Sequence, residues 1–177
     1  INEETASLPG MAHVHPNQPE STVQGCLKVL WEIERILCDV TGLKAVTTQP
    51  AAGSHGELAG IMFMRKYHER NKSDRKIILI PDSAHGTNPS SVTIGGFSTV
   101  EIKSNDKGMI DIDDFKSKLT DEVAGLMVTN PNTLGFFEKD IKLIADALHE
   151  NGSLLYMDGA NLNALLGFVK PGDLGVD

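Results

Sequence analysis

The sequence predicts an α/β protein with a mainly parallel (mixed) sheet flanked by helices. Apolar runs such as KIILIP (76–81) have the continuous apolarity of strands that are buried on both faces of a sheet. Between these runs lie segments with apolar residues at helical spacing, and the two kinds of segment alternate along the chain. This alternation is typical of right-handed βαβ crossovers, which build parallel sheets.

The first half of the chain contributes two predicted helices and a short predicted strand. Apolar residues at helical spacing predict a helix over 22–41, and Gly42 follows as a left-handed C-cap. The β-branched stretch AVTTQ (45–49) predicts a strand. A second helical pattern runs from about Ser54 to His68.

After KIILIP, the second half alternates three further strands with two helices. The predicted strands are FSTVEI (97–102), VAGLMVT (123–129) and SLLYMD (153–158), and the predicted helices lie near Ile112–Leu119 and Lys139–Glu150. Ligands of open α/β sheets bind beyond the carboxyl ends of the strands. The loops that follow these strands are therefore the candidate site.

Charge and hydropathy exclude two classes of partner. The net charge is −8 and the basic residues are scattered, whereas nucleic-acid binding needs clustered Lys and Arg. No apolar run is long enough for a membrane span, so neither nucleic acid nor membrane is expected. Cys26 and Cys38 lie too far apart on one predicted helix to form a disulfide, and we expect buried thiols of a cytosolic protein.

The loop QPAAGSHGELAG (49–60) is the first candidate for ligand binding. Gly53, Ser54, His55 and Gly56 stand where a helix begins, and free N–H groups at a helix start suit a phosphate. The alternative is an ordinary tight turn with Ser54 as N-cap. The glycine spacing matches neither the Walker nor the Rossmann fingerprint.

His85 and Asp158 follow two other predicted strands, in PDSAHGTNPSS (81–91) and MDGAN (157–161). A histidine in such a place could stack on a planar ring or transfer protons, or it could simply bond a nearby carbonyl group. The carboxylate of Asp158 could meet a ligand, or it could form a turn. Both alternatives stay open for each residue.

Two further polar segments are weaker candidates. In VTNPNTLGFFE (128–138), Asn130, Asn132 and Thr133 could hydrogen-bond a small polar substrate. His13 and His15 could share one side of a strand, but a metal site needs three or four ligands and no further His or Cys cluster joins them. We therefore expect no metal.

One ligand would use all the strand-end loops, and that ligand is pyridoxal 5'-phosphate. A carboxylate at Asp158 beside the pyridine nitrogen would contribute about 4 kcal/mol at an effective dielectric near 20, which would keep the nitrogen protonated. His85 would cover one ring face, Ala160 is small enough to line the other, and the 53–56 turn would hold the phosphate.

The order of these loops resembles the large domain of aspartate-aminotransferase-like (fold type I) pyridoxal enzymes. The blocks HPNQPESTVQG, QPAAGSHGELAG, IPDSAHGTNPSS and YMDGANLNALLG resemble more specifically the P-protein of the glycine cleavage system, above all its split-type second subunit. The blocks cover nearly the whole chain. The resemblance implies that residues 1–177 are a fragment of the cofactor-binding large domain.

The resemblance also implies an activity and site residues. The family is a glycine decarboxylase (glycine dehydrogenase, aminomethyl-transferring), an oxidoreductase that passes the aminomethyl group of glycine to the lipoyl arm of the H-protein. Partners would be subunit 1 of the split P-protein, in a heterotetramer, in the bacterial cytoplasm or, for a eukaryotic source, the mitochondrial matrix. His85 would be catalytic and would bind the cofactor with Gly53, Ser54, His55, Gly56, Asp158 and Ala160, while Thr133 and Asn163 would lie near the substrate.

The Schiff-base lysine of the family has no match in this sequence. Lys170 is the only lysine after Asp158, and it precedes Pro171 in a predicted loop. The resemblance places the lysine shortly after Asp177, so we expect the lysine segment, an N-terminal extension and the C-terminal small domain to be absent. The 177 residues alone should therefore be inactive.

Three other interpretations are kept. The chain could belong to another fold type I enzyme, such as a cysteine desulfurase or an amino-acid decarboxylase. A nucleotide-binding α/β domain would need a phosphate fingerprint that the sequence lacks. A non-catalytic α/β binding scaffold is the third.

Overall fold

Four parallel strands form the sheet in the computed structural model, which describes residues 2–177; residue 1 of the expected 1–177 domain lies outside it. The strands are β1 (Ile77–Pro81), β2 (Ser98–Ile102), β3 (Val123–Thr129) and β4 (Leu154–Asp158), in the spatial order β2-β1-β3-β4. Every neighbouring pair is parallel. The predicted α/β class with a mainly parallel sheet is confirmed.

The helices of residues 2–177 are α1 (Asn2–Ala6), α2 (Pro9–Ala12), α3 (Gln24–Thr41), α4 (Gly53–Arg70), α5 (Thr87–Ile94), α6 (Ile112–Lys118) and α7 (Ile141–Glu150). Helices α4 to α7 cover the two faces of this sheet. Short 3-10 turns occupy Glu20–Thr22, Leu162–Ala164 and Pro171–Leu174. Helices α4 and α5 pack on one face, and α6 and α7 pack on the other.

Strand β3 contributes to both layers of the core, and all seven of its residues are buried. The larger apolar cluster joins the sheet to α6 and α7 and contains Leu79, Ile102, Ile110, Phe115, Val123, Leu126, Val128, Ile141, Ile144, Ala145, Leu148 and Leu155. The other cluster joins the sheet to α4 and α5 and contains Ile61, Met64, Ile78, Ile80, Val92, Phe97, Ala124 and Met127. Burial on both faces explains the continuous apolarity of the central strands.

Two predictions of local structure are wrong. Residues 45–49 form no strand; they run beside α3, where the Thr48 hydroxyl lies 3.4 Å from Oε1 of Glu34. Their β-branched side chains have no neighbouring strand to pair with. Helix α5 was not predicted, because Gly86 and Pro89 indicate a loop, yet proline is tolerated in a first helical turn.

Helix α3 has the predicted position but is not a core helix. It ends at Gly42, which is left-handed with φ 73° as expected for a C-cap. Its only buried residue is Thr41, and Trp31 on the same helix is 51% exposed. Because α3 buries so little, the prediction of buried thiols is wrong: Cys26 and Cys38 are free and only partly buried.

His68 links the far end of α4 to the sheet. Its side chain is buried, and Nε2 lies 2.8 Å from the carbonyl oxygen of Ala124. Burial lowers the pKa of His68 below 6.5, the Ala124 hydrogen bond opposes this shift, and the charge of Arg75 adds to it. The imidazole is therefore favoured in its neutral form, with a proton on Nε2 for Ala124.

Stability should fall as the pH drops below about 6.5, because the unfolded chain then binds a proton that the folded His68 resists. His68→Gln keeps a donor for the Ala124 carbonyl but does not titrate, so the variant should lose part of this pH dependence. Urea denaturation of the full-length protein across this range measures the slope. The exposed His13→Gln serves as control, and an unchanged slope in the His68 variant would contradict the assignment.

Candidate functional site

The candidate site lies at the carboxyl edge of the sheet. Parallel pairing brings the ends of β1, β3 and β4 to the same edge, and Thr129 pairs in register with Asp158. Strand order also reverses here: the chain leaves β1 toward β2 on one side and returns to β3 on the other. Crevices at such switch points are the common ligand sites of open α/β sheets.

The first predicted loop becomes the start of α4. Ala52 is the N-cap and offers no side-chain cap, so the alternative that Ser54 caps the helix is wrong. The N–H groups of His55 and Gly56 donate to the Ala52 carbonyl, each at 3.1 Å, which leaves those of Gly53 and Ser54 as the uncapped pair of the first turn. The ring of His55 turns back, with Nδ1 accepting from Ala51 N at 3.4 Å.

His85 follows β1 and is exposed, immediately before α5. Its Nδ1 lies 2.8 Å from the hydroxyl oxygen of Thr87 and 3.2 Å from the Thr87 backbone nitrogen. The ring is therefore held from one edge by the start of α5. The His85 ring therefore contacts Thr87, and not a neighbouring carbonyl group as in the alternative.

Asp158 ends β4 and is partly buried. One carboxylate oxygen accepts from the Ala160 N–H at 3.1 Å, and the other accepts from Nδ2 of Asn88 at 3.3 Å. The bond from Ala160 forms the turn that the sequence left open as one alternative for Asp158. The second joins the loop after β4 to the start of α5, so the segments that carry His85 and Asp158 meet.

Sequence reasoning missed Glu57, which connects α4 to α5. The residue is 6% exposed, and its two carboxylate oxygens accept from the hydroxyls of Thr87 and Ser91, both at 2.7 Å. The available signal was a single acidic residue within the otherwise neutral loop GSHGELAG. Asn88 was missed because its partner lies seventy residues away in the sequence.

Three buried polar atoms without partners in the described part of the chain lie on residues at this edge of the sheet, and two of these residues adjoin Asp158. Asn88 Oδ1, Thr129 Oγ1 and Asn130 Nδ2 have no hydrogen-bond partner among residues 2–177. Thr129 pairs with Asp158 across the sheet, and Asn88 bonds it directly. Burying such groups unpaired is costly, so this edge of the sheet is suited to a ligand with several polar substituents.

The residues of the loop after β3 that were predicted to contact a substrate differ in their exposure. Asn132 is 2% exposed and its amide donates to Gly108 O at 2.8 Å and to Glu138 Oε1 at 3.1 Å, so it is an internal support. Thr133 is exposed, and its hydroxyl donates to the Ser83 carbonyl of the loop after β1. Asn163 is exposed in the 3-10 turn that follows β4.

Glu138 and Tyr156 are two further protonatable side chains whose pKa values are raised by burial. Burial raises the pKa of Glu138, and hydrogen bonds from Ile110 N and the Asn132 amide oppose the shift. Burial, together with the charges of Asp158 and Glu57, raises the pKa of Tyr156 to about 12. The phenol is therefore neutral, and it packs directly against α4 at Gly60.

Among residues 2–177, no group of three or more His, Cys, Asp or Glu side chains could hold a metal ion. The same part of the chain contains no helix with the length and apolarity that a membrane crossing needs.

Comparison with solved structures identifies the class of enzymes that share this fold. The chain superposes on a crystal structure of glycine decarboxylase (P-protein) of the glycine cleavage system in inhibitor-bound form, with a TM-score of 0.79 and 18% identity over 99% of this chain and 38% of that one. An aromatic aminotransferase from Pyrococcus horikoshii OT3 gives 0.59 and 21%, over 74% of this chain and 36% of that one. The fold is that of the fold type I pyridoxal-phosphate enzymes.

Sequence comparison gives the family. The model of the glycine cleavage system P-protein matches residues 10–177. A probable glycine dehydrogenase (decarboxylating) subunit 2 from Chlorobium phaeovibrioides is 58% identical over 100% of this chain, and one from Caldanaerobacter subterraneus subsp. tengcongensis is 57% identical over the same share. The chain belongs to the glycine cleavage system P-protein family. It spans 36% and 37% of the length of these two relatives.

Gly60 should be intolerant of a side chain, because a Cβ there would lie 2.2 Å from Cε2 of Tyr156. Gly60→Ala should push α4 away from β4 and destabilise the fold by about 1–3 kcal/mol, the usual cost of overpacking. Gly56→Ala on the same helix is the matched control, since nothing lies within 4 Å of its Cβ position. Urea denaturation of the full-length protein compares the two, and equal stabilities would contradict the packing described.

Proposed function

We propose that this chain is the cofactor-binding part of a glycine decarboxylase, and that Asp158 is the residue on which cofactor binding centres. Membership of the P-protein family supports the activity. The observation that carries the site is the half-buried Asp158 carboxylate at the switch point of the sheet, where its two neighbours Asn88 and Thr129 each have a buried polar atom without a partner in the described chain.

The residues at this edge fit pyridoxal phosphate. The uncapped N–H groups of Gly53 and Ser54, with His55 and Gly56 in the same turn, suit the phosphate. Asp158 suits a protonated pyridine nitrogen, and the unpartnered atoms suit polar substituents of a ring. His85 is exposed beside this edge and would cover one ring face, opposite the small Ala160.

Pyridoxal phosphate supplies an electron sink for the carbanion that remains when glycine loses carbon dioxide. Asp158 would keep the ring nitrogen protonated, since a carboxylate at contact distance contributes about 4 kcal/mol at an effective dielectric near 20. Asn88 holds one carboxylate oxygen and the Ala160 N–H holds the other, so the carboxylate has a fixed direction. His85 would exclude water from one face of the ring.

Several further assignments belong to the same proposal. Glycine would be the substrate, with Thr133 and Asn163 near it, and the lipoyl arm of the H-protein would accept the aminomethyl group. The relatives' name, subunit 2, supports a second subunit, and we propose a heterotetramer in the bacterial cytoplasm or the mitochondrial matrix.

The Schiff-base lysine belongs to the proposal as a residue that follows Asp177 in the full-length protein. Lys170 is a poor substitute, because its side chain lies against Gly42 at the end of α3. The C-terminal small domain and an N-terminal extension would likewise come from outside residues 1–177, which form part of the large domain.

Asp158→Asn should reduce carbon dioxide release from glycine about a thousandfold, since about 4 kcal/mol of charge stabilisation is lost and each 1.36 kcal/mol is tenfold. The assay uses the full-length protein with its second subunit, the lipoylated H-protein and added cofactor. Asp146→Asn on the exposed side of α7 is the control and should retain full activity. Release by the Asp158 variant at the normal rate would rule out the proposed site.

A further inference from the structure

Glu57 is an acidic side chain buried between two segments of the site. It lies in the second turn of α4, it is 6% exposed, and no Lys or Arg side chain pairs with it in the described part of the chain. Two hydroxyls, from Thr87 and Ser91, compensate its burial instead. Burying a carboxylate is costly, and here two hydroxyl hydrogen bonds take the place of a cationic partner.

The Thr87 hydroxyl connects Glu57 to His85. Its oxygen lies 2.7 Å from Oε1 of Glu57 and 2.8 Å from Nδ1 of His85. A hydroxyl donates one hydrogen bond and can accept others. Because a carboxylate only accepts, Thr87 donates to Glu57, and its lone pair then faces Nδ1 of His85.

The two contacts of Nδ1 bear on the tautomer of the His85 ring. A lone pair at 2.8 Å calls for a proton on Nδ1, which leaves Nε2 as the bare nitrogen of the neutral ring. The Thr87 backbone N–H also approaches Nδ1, at 3.2 Å, and would suit a bare Nδ1. The two contacts favour opposite tautomers, and our inference follows the shorter hydroxyl contact, which the buried Glu57 carboxylate anchors.

We propose that Glu57 is a positioning residue that acts through Thr87 to fix the orientation and the tautomer of the His85 ring. His85 is exposed, so without this chain of hydrogen bonds only the Thr87 backbone N–H would hold its ring. The functional value of this hydrogen-bond chain rests on the proposed function, in which His85 covers a cofactor ring. Glu57 also ties α4, which begins at Gly53, to α5, so one side chain aligns two parts of the site.

The test is magic-angle-spinning NMR of the full-length protein labelled with [15N]histidine, without added cofactor and at alkaline pH. The shifts of the two ring nitrogens report which one carries the proton, and His85→Gln identifies the signal. Wild type should show His85 protonated at Nδ1. Thr87→Val removes the hydroxyl, so the backbone N–H alone faces Nδ1 and the proton should move to Nε2.

Three variants complete the design. Thr87→Ser restores the hydroxyl and should restore the wild-type tautomer, and Ser91→Ala removes the other hydroxyl on Glu57 without touching the His85 contact. Glu57→Ala frees the Thr87 proton for Nδ1 and should give the Nε2–H form; if that variant does not fold, Thr87→Val decides. An Nε2–H ring in wild type, or an unchanged ring in Thr87→Val, would overturn the proposal.

This measurement is independent of the proposed decarboxylase activity. If the tautomer of His85 is the same in wild type and Thr87→Val, the role of Glu57 is rejected, while the proposed cofactor site is unaffected. A normal tautomer change in a protein that does not release carbon dioxide would leave the role of Glu57 and reject the proposed function.

Discussion

The burial of β3 between two parallel neighbours and two helical layers is the constraint on which the rest of the structure depends. All seven residues of β3 are buried, and the strand contributes side chains to both apolar clusters. Parallel pairing on both sides requires crossover helices and sends the ends of β1, β3 and β4 to one edge. The loops that carry His85, Asn130 and Asp158 are therefore neighbours because of the core, however far apart they lie in the sequence.

Polar contacts between loops then determine the detail of that edge. Glu57 joins α4 to α5, and Asn88 joins α5 to the end of β4. These bonds cross between elements that the apolar core only brings near each other. In a partly buried setting they are also selective, since each loss leaves a group unpaired. The result is an edge where the start of α4, His85 and Asp158 form one connected surface.

The sequence was most informative where the chemistry is local. Apolar runs and helical spacing predicted all four strands and helices α3, α4, α6 and α7, because burial on one or two faces leaves a periodic record. The prediction of a strand at 45–49 was wrong because β-branched residues alone do not supply a partner strand. Helix α5 was missed because a proline in a first turn looks the same in the sequence as a loop proline.

The same limit applied to the site. Strand-end position drew attention to His85 and Asp158, but nothing local distinguishes Glu57 from a surface acid or Asn88 from a loop asparagine. Their partners lie thirty to seventy residues away, and those distances close only when the sheet forms. Asn132 was misread for the same reason, since its amide supports Gly108 and Glu138 inside the fold.

The most direct measurement is an experimental structure of the full-length protein with pyridoxal phosphate bound. Our account predicts the pyridine nitrogen at hydrogen-bond distance from the Asp158 carboxylate, the His85 ring over one face, and the phosphate at the N–H groups that begin α4. A cofactor bound elsewhere, or a ring nitrogen without contact to Asp158, would contradict it.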